Sequence, residues 1–238
     1  MLLNIEHISK QFSTEPVLND ICLVVDENNT LSILGKSGCG KSTLLKIIAG
    51  LVVQDKGDII LNGTNINELP ANLRQIVYMS QEPLLFPHLN VYENVAFGLR
   101  INKENKDVID RKVNQLLESL GLQDHYKKMP NQLSGGQKQR VNFGRSLIIN
   151  PPLLLMDEPF GNLDTQTRTE MQQLFKQVAI EFNIASIFVT HDIKEALLMG
   201  DCIGYMNSGK LKIYNSKKAF ISDGITGAQQ EINFWQNL

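Results

Sequence analysis

Gly35-Lys36-Ser37-Gly38-Cys39-Gly40-Lys41-Ser42-Thr43 decides the fold of this chain. Gly35, Gly40, Lys41 and Ser42 fit the spacing G-x-x-x-x-G-K-[ST], the phosphate-cradling loop of nucleoside-triphosphate enzymes. Upstream, Leu31-Ser32-Ile33-Leu34 is a short apolar run suited to a buried strand. Downstream, Thr43 to Ala49 suits a helix, with Gly50 as its stop. Strand, loop and helix in that order are the context such a motif requires. The glycines let backbone N–H groups turn inward toward phosphate oxygens, and the helix N-terminus adds positive potential. Lys41 would place a point charge on the terminal phosphates, and the Ser42 hydroxyl would meet a magnesium ion.

Working outward, the 238 residues suffice for one large α/β domain or one core with a sizeable insertion. Apolar content of 42% and charged content of 20% are ordinary for a globular protein, and the net charge of −2 gives no general attraction to nucleic acid. Cys22, Cys39 and Cys202 are widely spaced and suggest no metal-ligand pairing, so they are expected to be the thiols of a reduced cytosol. The N-terminus lacks a signal-peptide pattern, and no apolar run approaches the roughly 18 residues that span a bilayer. A soluble protein is therefore expected, reaching a membrane only through a partner.

Strand texture marks Leu3-Asn4-Ile5, Ile21 to Val25 and Asp58 to Leu61, with Asn62-Gly63 closing a hairpin. From Val91 to Leu122 the spacing turns helical, and Ser134 to Ile149 reads as a further helix stopped by Asn150-Pro151-Pro152. Leu153 to Met156, Ala185 to Val189 and Ile203 to Met206 are strands again. A helix over Thr165 to Phe182 makes the first two a βαβ crossover. The tail from Lys217 to Leu238 carries only weak patterning.

Leu153-Leu154-Leu155-Met156-Asp157-Glu158 is an apolar strand ending in two carboxylates. Alone, this is either a solvated acidic turn or a catalytic edge; beside a phosphate loop the second reading is the stronger. Asp157 would then hold the magnesium opposite Ser42, and Glu158 would polarise a water aimed at the γ-phosphate. His191 ends the strand Ser186 to Thr190, where an imidazole would donate to that phosphate or orient the water. Leu133-Ser134-Gly135-Gly136-Gln137 opens a helix and reads either as an ordinary cap or as a second anion site.

Taken in order, Gly35 to Thr43, Gln81, Leu133 to Gln137, Leu153 to Glu158, Leu163-Asp164 and His191 resemble the motif set of ABC-transporter ATP-binding subunits, from about Leu3 to Leu211. The resemblance implies a P-loop NTPase core with a mostly parallel sheet, an antiparallel β subdomain and an inserted helical subdomain. Residues 1–85 and 152–238 would form the core of a single domain, and 86–151 the insertion. It implies ATP and Mg2+ as cofactors, with a second ATP-binding subunit, expected to be an identical chain, arranged head to tail. Ser134, Gly135, Gly136 and Gln137 of one chain would close on the γ-phosphate held by Lys41 of the other. Phe12 takes the place of an adenine-stacking tyrosine, and Gln81 that of a glutamine sensing the γ-phosphate and the metal. Asp164 matches an aspartate coupling the two sites, although Gly161-Asn162 replaces the usual Ser-Ala. Gly144 replaces a common alanine and is expected to loosen its helix.

Glu82 to Val91, followed by Glu93 to Gly98, resembles the importer side of the family. Phe86 and Leu89 are read either as core or as a groove for a permease helix. The implied protein is cytoplasmic, held on the inner face of the cell membrane by permease subunits, working with a solute-binding protein and no nucleic acid. An exporter or lipid-transport ATPase, or a non-transport ABC ATPase, is the alternative. Ending at Leu238, the chain is expected to lack an added regulatory domain.

Overall fold

Three apolar runs, Thr30–Leu34 (β3), Leu153–Asp157 (β7) and Ala185–Thr190 (β8), are buried at every position, the pattern of strands covered on both faces. In the computed structural model, which describes residues 1–236, they form the centre of a six-stranded sheet in the order β10-β9-β3-β8-β7-β6. Ile76–Met79 (β6) and Cys202–Asn207 (β9) run parallel with them, and Lys210–Tyr214 (β10) returns antiparallel. A second sheet of four antiparallel strands has the order β2-β1-β4-β5, from Leu3–Phe12 (β1), Glu15–Val25 (β2), Lys56–Leu61 (β4) and Thr64–Asn65 (β5). Asn62 and Gly63, both at positive φ (50° and 75°), turn β4 into β5 as a two-residue hairpin requires.

The helix after the phosphate loop, Lys41–Ile48 (α1), buries Leu44, Leu45, Ile47 and Ile48 in one cluster with residues of both sheets. Its C-terminus is held by Arg74, only 4% exposed. That guanidinium donates to the carbonyls of Ile47 at 2.9 Å and Ile48 at 3.1 Å, and to those of Leu69 and Asn67. A cation on the last carbonyls suits the negative end of the helix.

A second core packs Val91–Ile101 (α2), Lys106–Ser119 (α3), Gly135–Leu147 (α4) and Thr165–Glu181 (α5) against β7 and β8. The helical run from Val91 to Leu122 is two helices, not one. Lys103 turns to φ 58° and Asn105 caps the second helix by accepting from the Asp107 N–H. α5 makes the expected crossover between the parallel neighbours β7 and β8.

Gly144 does the opposite of loosening α4. A Cβ there would lie 2.7 Å from Leu120 Cδ1 and 3.3 Å from Val95 Cγ2, so the missing side chain is what lets α4 approach these buried residues. The weakly patterned tail also has structure. Lys217–Ser222 (α6) and Ala228–Gln236 (α7) follow β10, burying Phe220 and Ala228 beside Tyr214 and Ala196; the final two residues lie outside the described part. Asp223 holds this region by accepting from Lys212 Nζ at 2.7 Å and Tyr214 Oη at 2.9 Å. No helix among the described residues is long and apolar enough to cross a membrane.

Candidate functional site

The carboxyl ends of β3, β7 and β8 lie side by side, in register Leu34 to Thr190 and Asp157 to Val189. At such an edge the loops rather than the strands meet a ligand. The loop leaving β3 is pinned when the Gly35 N–H donates to the Thr190 carbonyl at 3.2 Å. It enters α1 through Gly40 at φ 111°, where an added Cβ would lie 2.8 Å from the Val17 carbonyl, so only glycine fits. A polar cleft of about 460 Å³ opens there, and Ser37, Gly38, Gly40, Lys41, Ser42, Thr43, Gln81, Asp157, Glu158 and His191 line it, with Val17 at its rim.

Lys41 is 4% exposed. Its ammonium donates to the carbonyls of Gly35 at 2.6 Å and Lys36 at 3.1 Å, with Glu158 Oε1 at 3.8 Å. A buried cation hydrogen-bonded to two neutral carbonyls, with its carboxylate partner at a long 3.8 Å, suits a further anion in the adjoining cleft.

Ser42 Oγ donates to Asp157 Oδ1 at 2.9 Å, and Tyr78 Oη donates to Asp157 Oδ2 at 2.9 Å. Burial, and then the bond to Asp157, push the Tyr78 hydroxyl well above its usual range, keeping it a donor. An oxygen-only set of hydroxyl and carboxylate, with the Gln81 amide on the same cleft, fits a hard divalent cation such as magnesium. Tyr78 was not among the residues singled out from sequence. Where its hydroxyl points depends on the pairing of β6 with β7.

Glu158 leaves β7 at φ 46°, an uncommon conformation for a residue with a Cβ and one that clusters at active sites. Its N–H donates to the Val189 carbonyl at 3.1 Å. Its Oε2 is 2.9 Å from His191 Nδ1. Behind His191, Thr190 Oγ1 donates to buried Glu195 at 2.6 Å and accepts from the Asp192 N–H at 3.0 Å. Burial pushes the Glu195 carboxyl upward.

Gly35, Lys36 and Cys39 belong to the loop without lining the cleft; Cys39 turns under Gly35, and burial raises its thiol pKa. Six further candidates do not line the cleft of this chain. Phe12 is 48% exposed at the end of β1, with Lys10 Nζ 5.3 Å from its ring centre, so it is not a core residue. Ser134 caps α4 by accepting from the Gln137 N–H at 3.3 Å, while Gln137 Oε1 accepts from the Ser134 N–H at 3.0 Å. Gly135 is exposed and Gly136 half-buried against Thr167. Asp164 caps α5 by accepting from Thr167 at 3.0 Å, and that bond holds its carboxyl below the usual range. Phe86 is half-buried, with its ring 4.3 Å from that of Phe97 and Arg145 over its face, while Leu84 is 64% exposed.

Fold and cleft together define a P-loop phosphate-binding domain of α/β class. The chain belongs to the ABC transporter family, whose family profile matches residues 18–161. It is 42% identical over 98% of its length to the spermidine/putrescine import ATP-binding protein of Clostridioides difficile. It is 40% identical over 98% to the molybdate/tungstate import ATP-binding protein of Pyrococcus abyssi, and 42% identical over 89% to the sulfate/thiosulfate import ATP-binding protein of Bacillus cereus. The matched regions span 72%, 68% and 60% of those three proteins, and 56% of a further relative from Fusobacterium nucleatum. Among solved structures it resembles the dimeric post-hydrolysis state of the ATP-binding cassette MJ0796 bound to ADP and Pi. The TM-score is 0.78 at 30% identity, covering 90% of this chain and all of that one.

Proposed function

We propose that this chain is the ATP-hydrolysing subunit of an importer, working as a head-to-tail dimer on permease subunits at the inner face of a cell membrane. The observation that carries the proposal is the convergence of Lys41, the Ser42–Asp157 pair and the Glu158–His191 pair on one cleft. Import is supported by the names of relatives at 40–42% identity. By those names they serve polyamine cations and oxyanions alike, so the chemistry of the solute is read by other components, which we take to be the permease and a solute-binding protein.

In this reading Lys41 exchanges its two carbonyl partners for phosphate oxygens, and the loop N–H groups supply the remaining donors. Ser42 and Asp157, with Gln81 near them, hold the magnesium ion, which when bound neutralises charge on the phosphates. Glu158 accepts a proton from the attacking water, and His191 holds that carboxylate in place. Phe12 offers its exposed face to adenine. Ser134, Gly135, Gly136, Gln137 and Asp164, which this chain keeps away from its own cleft, serve the nucleotide of the partner. Residues 1–85 and 152–238 act as the nucleotide core and 86–151 as the helical insertion that meets the permease.

Glu158→Gln should keep ATP binding, accumulate dimer with ATP and lose about 10²–10⁴-fold in turnover. Undiminished steady-state phosphate release would overturn the role of Glu158. Lys41→Ala should weaken ATP binding about ten- to a hundredfold, and unchanged affinity would contradict the phosphate-loop reading. Recovery from detergent-solubilised membranes with a permease and a solute-binding protein supports import; recovery with nucleic acid alone would count against it.

A further inference from the structure

Away from the phosphate cleft, three side chains of metal-binding type meet on the outer antiparallel sheet. The ligand atoms of His7, Asp20 and Cys22 all lie within 4.8 Å of one another. His7 Nδ1 is 2.7 Å from Asp20 Oδ1 and 3.7 Å from Cys22 Sγ. We propose that these three residues form a surface site for a borderline-soft divalent cation, zinc by preference, which clips β1 to β2.

The backbone is built to hold this meeting point. The β1–β2 ladder shifts register on both sides of Ile8, and His7 and Asp20 both adopt left-handed conformations, φ 55° and 57°. The His7 N–H donates to Cys22 Sγ at 3.3 Å, and the Asp20 N–H to Ser9 Oγ at 3.0 Å. On the far side of β1, Gly57 of β4 makes room for the same distortion: a Cβ there would lie 2.4 Å from the Glu6 oxygen and 2.5 Å from the His7 carbonyl. An ordinary surface ion pair needs neither a thiol near the same nitrogen nor left-handed residues at the register shifts of both strands.

The donor set selects the ion. Imidazole, thiolate and carboxylate together suit zinc, whereas a thiolate is a poor ligand for magnesium or calcium. With Zn–N about 2.0 Å and Zn–S about 2.3 Å, a tetrahedral N···S edge is about 3.5 Å, close to the separation already present. The shorter His7–Asp20 contact would have to open by about half an ångström to reach a tetrahedral N···O edge. The Asp20 side chain, 67% exposed, is free to make that move. Cys22 binds as the thiolate, its proton leaving to solvent, with the His7 backbone N–H already directed at the sulfur. His7 binds through Nδ1 once the proton it shares with Asp20 there is lost to solvent or replaced by one on Nε2, and water takes the fourth position.

The test uses the full chain, stripped by chelator and kept in millimolar magnesium, titrated with zinc against a chromophoric chelator. One zinc per chain should bind in the micromolar range. Since losing an outer-shell partner alone costs about 10–100-fold, Cys22→Ser and His7→Ala should each weaken binding at least about tenfold, with ATP binding retained as a check on folding. Cobalt should give a thiolate charge-transfer band that Cys22→Ser lacks. In the unaltered chain, zinc should slow alkylation at Cys22, located by peptide mass, and leave exposed Cys202 unprotected. Absence of stoichiometric zinc, binding unchanged in both variants, a cobalt complex without the thiolate band, or equal protection of Cys22 and Cys202 would overturn the proposal.

Discussion

His191 Nδ1 stands 2.9 Å from Glu158 Oε2, and the two residues arrive there from neighbouring parallel strands. Glu158 follows Asp157, which pairs with Val189, two residues before His191. The contact thus depends on the register of β7 and β8 and on the left-handed turn at Glu158, φ 46°. Groups coupled in this way should not act independently. His191→Ala should lower turnover about 10²–10⁴-fold, as Glu158→Gln does. The double variant should fall no more than about tenfold below the worse single one. Steady-state phosphate release on the three variants measures this, and fully multiplicative losses would separate the two roles.

Gly135 offers a test of the dimer that leaves the fold alone. A Cβ there meets nothing within 4 Å. Gly135→Asp should therefore change stability by no more than about 0.5 kcal/mol. It should leave binding of ATP to a single chain unaltered. Hydrolysis should collapse, because the new carboxylate would face the phosphates of the partner. Stability by denaturant melt and turnover by phosphate release should part company; wild-type turnover would remove Gly135 from the composite site.

Gly57 and Gly63 both have positive φ, 91° and 75°, but differ in surroundings. A Cβ at Gly63 meets open space, whereas at Gly57 it strikes the backbone of Glu6 and His7. Gly63→Ala should cost about 1–2 kcal/mol from backbone strain alone. Gly57→Ala should cost about 1–3 kcal/mol more, from overpacking against main chain that has no rotamer to change. Urea midpoints of the two variants, at equal slopes, give the comparison.

Asp223 links pH to the docking of the tail. The bond from Lys212, followed by those from the Ile225 N–H and Tyr214, holds its carboxyl down at about 2. A depressed carboxyl stabilises the folded state above its unfolded pKa and loses that contribution as pH falls toward the folded value. Asp223→Asn should therefore lower the melting temperature at pH 5–7, with the gap from wild type closing as pH falls through about 2. A gap that persists unchanged in acid would show that the carboxylate charge is not responsible.

Much of the site was legible because phosphate chemistry is written locally. Gly35 to Thr43 forms its loop from adjacent residues, and the strand ends at Asp157 and His191 were marked by an abrupt change from apolar to polar. The remainder depended on pairings between distant segments. Tyr78 reaches Asp157 only because β6 lies beside β7. The helical stretch after Val91 divides because of Asn105, whose capping role competes with a continuous apolar period. Gly144 looked like a weak point for a helix, since propensity is a local quantity; close packing on Leu120 and Val95 overrides it.

Cys22 shows the same division at its sharpest. Spacing along the chain offered no metal-ligand pairing, because His7 and Cys22 are fifteen residues apart on strands whose bulges no sequence pattern announced. By itself the sequence determined the α/β class, the phosphate loop, the carboxylate-ended strand and the family these motifs resemble. Each rests on residues that are neighbours in the chain or repeat with the period of one element. Only the tertiary structure decided which strand ends share a cleft, which candidates stay outside it, and where a histidine, an aspartate and a cysteine meet. Those relations are set by strand register and by close contact between distant backbones.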